Sequence, residues 1–162
     1  MSATGLEVFD RTVQTTNVWI DEIMERLPRD KQLAWHVLGA VLRTIRDRVP
    51  INLAAHLGAQ LPLLVRGTYY DQWRPSETPQ NWRTADEFLA HIDAQLTTTK
   101  PVNTAEAARA VFRVLNHHVD PNQIENIRHG LPESIRALWP VNNADDAPPV
   151  TTRAANHERR PH

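Results

Sequence analysis

Apolar side chains recur at every third or fourth position through most of the first 140 residues, a spacing that predicts amphipathic helices rather than strands. Phe9, Val13, Ile20, Ile23 and Leu27 mark one stripe, with Trp19 beside it. Thr4 and Glu7 have the spacing of a capping box ahead of that stripe, and Pro28 ends it. Asp30 then caps a second helix that carries Leu38, Val41, Leu42, Ile45 and Val49 on one face. Arg43, Arg46, Asp47 and Arg48 read as its solvated side. Pro50 begins a shorter helix through Leu53 and Leu57, and Gln60-Leu61 is a tight turn. Pro62 suits the first position of a further helix towards Tyr70, where a missing N–H costs nothing.

Residues 71–83 break every period with prolines and polar side chains and read as a linker. Helices resume at Thr84, which with Glu87 forms another capping-box pattern ahead of Phe88, Leu89, Ile92 and Leu96. Asn103 and Glu106 start the next helix, with Ala108, Val111, Phe112, Leu115 and Val119 inward. Asp120-Pro121 is a cap followed by proline at the first helical position. Gly130 stands where a left-handed residue after a helix is expected, and Pro132 opens a last short helix that Pro140 stops. Residues 141–162 have almost no bulky apolar side chains and are expected to be a disordered tail.

Shifting the chain by 70 residues aligns positions 40–66 with 110–136 without a gap. Ala40, Val41, Arg43, Val49, Asn52, Leu61, Pro62 and Arg66 fall on Ala110, Val111, Arg113, Val119, Asn122, Leu131, Pro132 and Arg136. Those are 8 identities in 27 positions, where chance composition gives about two. The expected architecture is therefore an all-α, compact helical bundle of two similar multi-helix units made by internal duplication. Residues 1–70 form the first unit, 71–83 the linker and 84–140 the second unit. Neither unit buries its apolar face alone.

Composition narrows the functional classes. There is no cysteine, which excludes disulfides, thiolate metal sites and cysteine nucleophiles. The formal charge of -1 lacks the basic surplus that phosphate neutralisation requires, so nucleic acid is not the expected partner. The start shows no basic region followed by an apolar run, and no stretch reaches the ~20 apolar residues of a membrane span. A cytoplasmic protein that avoids membranes is expected.

The strings Leu-Pro-x-x-x-Arg and Tyr-Tyr-x-x-Trp, in this order, are specific enough to suggest kinship. Residues 34–49, the stretch Gln60-Leu61-Pro62-Leu63-Leu64-Val65-Arg66-Gly67-Thr68-Tyr69-Tyr70 with Trp73, and the second Leu131-Pro132 unit ending at Trp139 resemble the family called domain of unknown function 2267. The resemblance spans roughly residues 6–140. It implies a bacterial, helical, cytoplasmic domain with no established activity, and it carries no catalytic residues over.

Candidate chemistry begins with Arg43/Arg113 and Arg66/Arg136, which occur in both halves. Guanidinium groups can grip a phosphate or carboxylate in bidentate fashion. The weightier expectation is structural: each bonds helix-end carbonyls or a nearby acid and fixes the turn after Leu-Pro. Tyr69, Tyr70, Trp73 and Trp82 surround the linker. They suit a ligand pocket or a partner surface, or else cap the core with polar tips outward. Adjacent side chains on a helix point about 100° apart, so His117 and His118 are not expected to share a metal. No metal or cofactor is expected. The short helices around Pro62 suggest a helix-turn-helix, but the equivalent helix after Pro132 opens on Glu133, where a groove reader places basic or amide side chains. Glycine-rich phosphate loops and the Gly-x-Ser-x-Gly nucleophile motif are missing.

The expected function is therefore a non-enzymatic module that binds another protein or itself, a homodimer being one form. The alternatives are a small-anion or enzymatic site between the units, with Arg43, Arg66, Arg113, Arg136, Tyr69, Tyr70 and Trp73 as its candidate residues, and nucleic-acid binding.

Overall fold

The computed structural model describes residues 5–140. Eight α-helices run through them: α1 (Glu7–Ile23), α2 (Lys31–Arg48), α3 (Ile51–Gln60), α4 (Leu63–Tyr70), α5 (Ala85–Ala94), α6 (Thr104–His118), α7 (Pro121–His129) and α8 (Glu133–Arg136). A single 3₁₀ turn, Pro75–Glu77, interrupts the stretch between α4 and α5. No strand is formed among the described residues.

Local chemistry accounts for most of the boundaries. The Asp30 carboxylate accepts from Leu33 N, the Asn103 amide oxygen from Glu106 N and the Asp120 carboxylate from Asn122 N, satisfying donors that helix starts leave free. Thr84 and Glu87 form a full capping box at the start of α5. Pro62 and Pro132 sit immediately before α4 and α8 in extended conformation, one position earlier than the first helical residue. One expectation fails at a helix end. Gly130 has φ -79°, a right-handed conformation; its lack of a side chain instead admits Leu53 Cδ1 to 3.0 Å and Pro50 Cδ to 3.3 Å of where a Cβ would stand. The cap residue of α1 is Leu6, without a side-chain bond, and Thr4 lies outside the described residues. So does the tail 141–162.

The two long central helices, α2 and α6, pack on one another; α1, α3, α4, α5 and α7 lie against one or both of them, and α8 packs on α5 and α7. Helices α1 and α5 each bridge the two central helices: α1 packs on α2 and α6, and α5 on α6 and α2. Helices α3 and α7 meet across the molecule. One hydrophobic core results, in which Leu38, Val41, Leu42 and Ile45 of α2 and Val111, Phe112 and Leu115 of α6 are buried. Full burial of each such side chain contributes about 1.5–3 kcal/mol before entropy is counted.

Two features of this packing depart from the periodicity. Phe9 and Val13 continue the apolar stripe of α1 but are 50% and 42% exposed, because the first turns of that helix run past the edge of the bundle. Arg46, read as solvated, is 5% exposed.

Candidate functional site

The four repeated arginines are held at separate places. Arg43 Nε donates to Gln95 Oε1 at 2.9 Å, and its Nη1 to Thr68 Oγ1 at 2.7 Å and Thr68 O at 3.2 Å. Burial, reinforced by the positive charge of Arg46, pulls its pKa below the ordinary guanidinium value. Arg113 Nη2 donates to Glu22 O at 2.9 Å and stands 4.0 Å from the Glu25 carboxylate. Arg66 Nη2 donates to Leu61 O at 3.0 Å, and Arg136 Nη1 to Leu131 O at 2.7 Å. Each of this last pair reaches back five residues to the carbonyl beside the Leu-Pro corner, where a preceding helix has just ended and its carbonyls need partners.

Arg46 does work that its place in the pattern did not suggest. Its Nη1 donates to Tyr69 O at 2.7 Å and Asp71 O at 3.0 Å, and its Nε to Asp47 Oδ1 at 2.8 Å. The guanidinium thus satisfies the frayed end of α4 from inside the bundle. Gln80 N donates to Asp47 O at 2.7 Å, and Arg48 Nε to Trp82 O at 2.7 Å while its Cζ lies 5.7 Å from the centre of the Trp82 ring. The segment between α4 and α5 is consequently pinned along the end of α2.

The aromatic residues divide into core and rim. Tyr69 is fully buried, with its hydroxyl donating to Ala54 O at 2.6 Å, and burial pushes its phenol well above the ordinary tyrosine value. Tyr70 is half-buried and stacks on Trp73 at 5.5 Å between ring centres. The Trp73 indole Nε1 is buried without a hydrogen-bond partner. Trp82 is buried between Phe88 and His91, and its indole N–H donates to Gln80 Oε1 at 2.6 Å.

An open cleft of about 470 Å³ lies between α2, the end of α4 and α5, lined by Arg43, Arg46, Asp47, Asp71, Gln72 and His91 among others. Of the seven candidate ligand-binding residues, Arg43 alone faces it. Two arginines there oppose two aspartates, and Nε and Nη1 of each guanidinium already donate within the protein, to Gln95 and Thr68 from Arg43 and to Asp47, Tyr69 O and Asp71 O from Arg46. That leaves little net field for an anion.

A different group of side chains converges at the end of α1 and α6. His117 Nδ1 lies 3.0 Å from Glu22 Oε1, and His118 Nε2 2.7 Å from Glu22 Oε2. The two imidazoles were expected to diverge. They leave α6 in different directions, but one bonds through its near nitrogen and the other through its far one, and Glu22 reaches both with separate oxygens. The His118 ring also stacks on Trp19 at 5.3 Å. Burial by itself raises the Glu22 pKa, but hydrogen bonds and positive charge from His118 and His117 outweigh it and hold the carboxyl below its ordinary value. No spacing rule joins position 22 to 117, since only the packing of α1 on α6 brings them together.

The remaining feature is apolar and exposed. Val8, Phe9 and Val13 of α1 and Leu63 and Leu64 of α4 are each more than two-fifths accessible. Leu64 N donates to Thr12 Oγ1 at 3.2 Å, which ties the start of α4 to the middle of that stripe and makes the two sets neighbours.

A family model described as "Uncharacterized conserved protein (DUF2267)" matches residues 16–138. No curated protein matches the chain. No helix among the described residues is long and apolar enough to cross a membrane.

Proposed function

The chain belongs to the DUF2267 family, and we propose that it is a non-enzymatic association module that pairs with a second copy of itself through the α1–α4 face. The observation that carries this reading is the contiguous exposure of Phe9, Val13, Leu63 and Leu64, large apolar side chains that monomers usually bury. Glu7, Asp10 and Arg11 border the stripe on α1, and Arg11 pairs with Glu7 at 2.6 Å, so the rim carries both signs of charge and an apposed second face is not met by a single repelling sign. Each arginine that a ligand site would recruit already donates to a backbone carbonyl of the bundle: Arg43 to Thr68 O, Arg66 to Leu61 O, Arg113 to Glu22 O and Arg136 to Leu131 O.

Internal duplication, the finer reading of the bundle, belongs to the same proposal. It is supported by the 8 matched identities, by an identical run of buried and exposed positions over 61–69 and 131–139, and by the equivalent carbonyl bonds of Arg66 and Arg136. On that reading α1 and α5 are counterparts, yet α1 has 17 residues and α5 has 10. The extra turns of α1 precede the family match, which starts at residue 16, and they carry the exposed stripe. An extension that the bundle does not need for its own core is well suited to an intermolecular one.

Light scattering coupled to size-exclusion chromatography over a range of concentrations tests the proposal. A dimer is expected, and Phe9→Asp together with Leu63→Asp should return it to monomer with unchanged helicity. A chain that is monomeric at all concentrations, or a dimer indifferent to both substitutions, overturns it.

A further inference from the structure

We infer that Glu22, His117 and His118 form a binding site for a borderline divalent transition-metal ion, zinc above all, that clamps the C-terminal end of α1 to that of α6. The ligand-capable atoms of the three side chains, one from each, lie within 4.8 Å of one another. Zinc bonds to imidazole nitrogen and carboxylate oxygen measure about 2.0–2.2 Å, so adjacent donors in a tetrahedron are separated by roughly 3.3–3.5 Å. The 3.0 Å and 2.7 Å separations run to different Glu22 oxygens and open by about 0.3–0.8 Å to reach that spacing, while the widest separation among the three donors closes from no more than 4.8 Å. Small χ rotations supply that.

The donor set selects the ion. Two imidazoles and one carboxylate suit zinc and its neighbours, whereas calcium and magnesium take oxygen ligands and dehydrate or pack differently. Three protein ligands leave the fourth position to water, which the exposed histidines allow. Each facing nitrogen can carry the proton it shares with Glu22. A bound ion takes that place, so a neutral ring shifts its proton to the opposite nitrogen and a charged ring releases one to solvent.

Several contacts hold the ligands where the ion would need them. Trp19, buried in the core, stacks on the His118 ring and limits its rotation. Arg113, itself buried, donates to the main-chain carbonyl of Glu22 and anchors the carrier of the carboxylate. Val119, also buried, ends α6 immediately after the two histidines and fixes the direction in which they leave it. At the positions 70 residues earlier stand Asp47 and Arg48, which bond Arg46 and Trp82 O. The histidine pair is therefore an addition at a place where the scaffold accepts other side chains. The site is independent of the association face: Glu22 is 13 residues from Phe9 along α1, about 20 Å.

The test is titration of the full chain with zinc chloride at neutral pH, followed by calorimetry and by imidazole ¹⁵N NMR. One saturable site is expected, with the largest shifts at His117 Nδ1 and His118 Nε2 and a raised melting temperature that a chelator reverses. The His117→Gln, His118→Gln double variant should keep its helicity and lose that one site, while Glu22→Gln should weaken it. Binding that persists undiminished in the double variant, shifts confined to other histidines, or the absence of a saturable site overturns the inference.

Discussion

The rings of Phe112 and Trp139 are stacked face to face with centres 4.4 Å apart and planes inclined by 2°. Phe112 sits mid-way along a central helix, and Trp139 lies beyond the last helix of the described residues, so this contact holds the segment after α8 onto the core. The indole N–H donates to Asn116 Oδ1 at 2.8 Å, and Asn116 Nδ2 donates to Pro140 O at 3.0 Å. Trp139→Ala removes a fully buried aromatic residue and should cost about 3–5 kcal/mol in urea unfolding. Trp139→Phe keeps much of the stack and loses the hydrogen bond, and should cost about 1–2 kcal/mol. Equal losses for the two would show that the stack contributes nothing of its own.

Arg46 predicts a different kind of sensitivity. It is buried, and its guanidinium serves Tyr69 O, Asp71 O and the Asp47 carboxylate at once. Arg46→Ala strands those acceptors and should destabilise by about 2–4 kcal/mol. Arg46→Lys keeps the charge but lacks the planar fork, so chemical denaturation should show it recovering less than half of that loss. Full rescue by lysine would mean that charge alone suffices.

Gly58 and Tyr70 should behave as a coupled pair. A Cβ at position 58 would lie 2.8 Å from Tyr70 Cε2 and nearer still to its hydroxyl, so the ring must move away. Gly58→Ala should destabilise by about 1–3 kcal/mol and disturb the Tyr70–Trp73 stack, visible in near-ultraviolet circular dichroism. In the Tyr70→Ala background the same substitution should become nearly neutral, giving a clear coupling in a double-mutant cycle. Additive effects would show that the clash lies elsewhere.

Acid should weaken the fold from two helix starts. The main-chain N–H of Leu33, with help from Lys100, holds the Asp30 carboxyl below 3.8, and Arg83 N with Thr84 holds Glu87 below 4.5. Both folded-state values are depressed, so the stability they contribute is present above those ordinary values and is lost as pH falls through the lower, folded-state ones. Melting temperature should therefore decline on acidification below about pH 4.5. In Asp30→Asn with Glu87→Gln, which retain capping ability without titrating, the decline should be shallower. An unchanged acid limb would assign it to other carboxylates.

Local rules sufficed wherever a boundary is decided by its own few residues. Asp30, Thr84, Asn103 and Asp120 cap the helices they precede because an oxygen acceptor one turn from an unpaired N–H bonds it in nearly any surroundings. The apolar period likewise marks Leu38 to Val49 and Val111 to Val119 as inward, since nothing but burial favours so many large side chains on one face. The matched Leu-Pro corners and their arginines were visible for the same reason.

What the chain pattern did not decide is how far a bundle reaches and which distant residues it joins. Phe9 and Val13 obey the stripe yet stand in solvent, because coverage depends on where neighbouring helices end. Arg46 looks solvated by composition yet is buried, because the end of α4 folds over it with carbonyls to satisfy. The meeting of Glu22 with His117 and His118 comes from α1 lying across α6, and side-chain reach then overrides the divergence of neighbouring positions on one helix. Periodicity prescribes which face turns inward; only the mutual placement of whole helices sets what that face, and the residues at its edge, will touch.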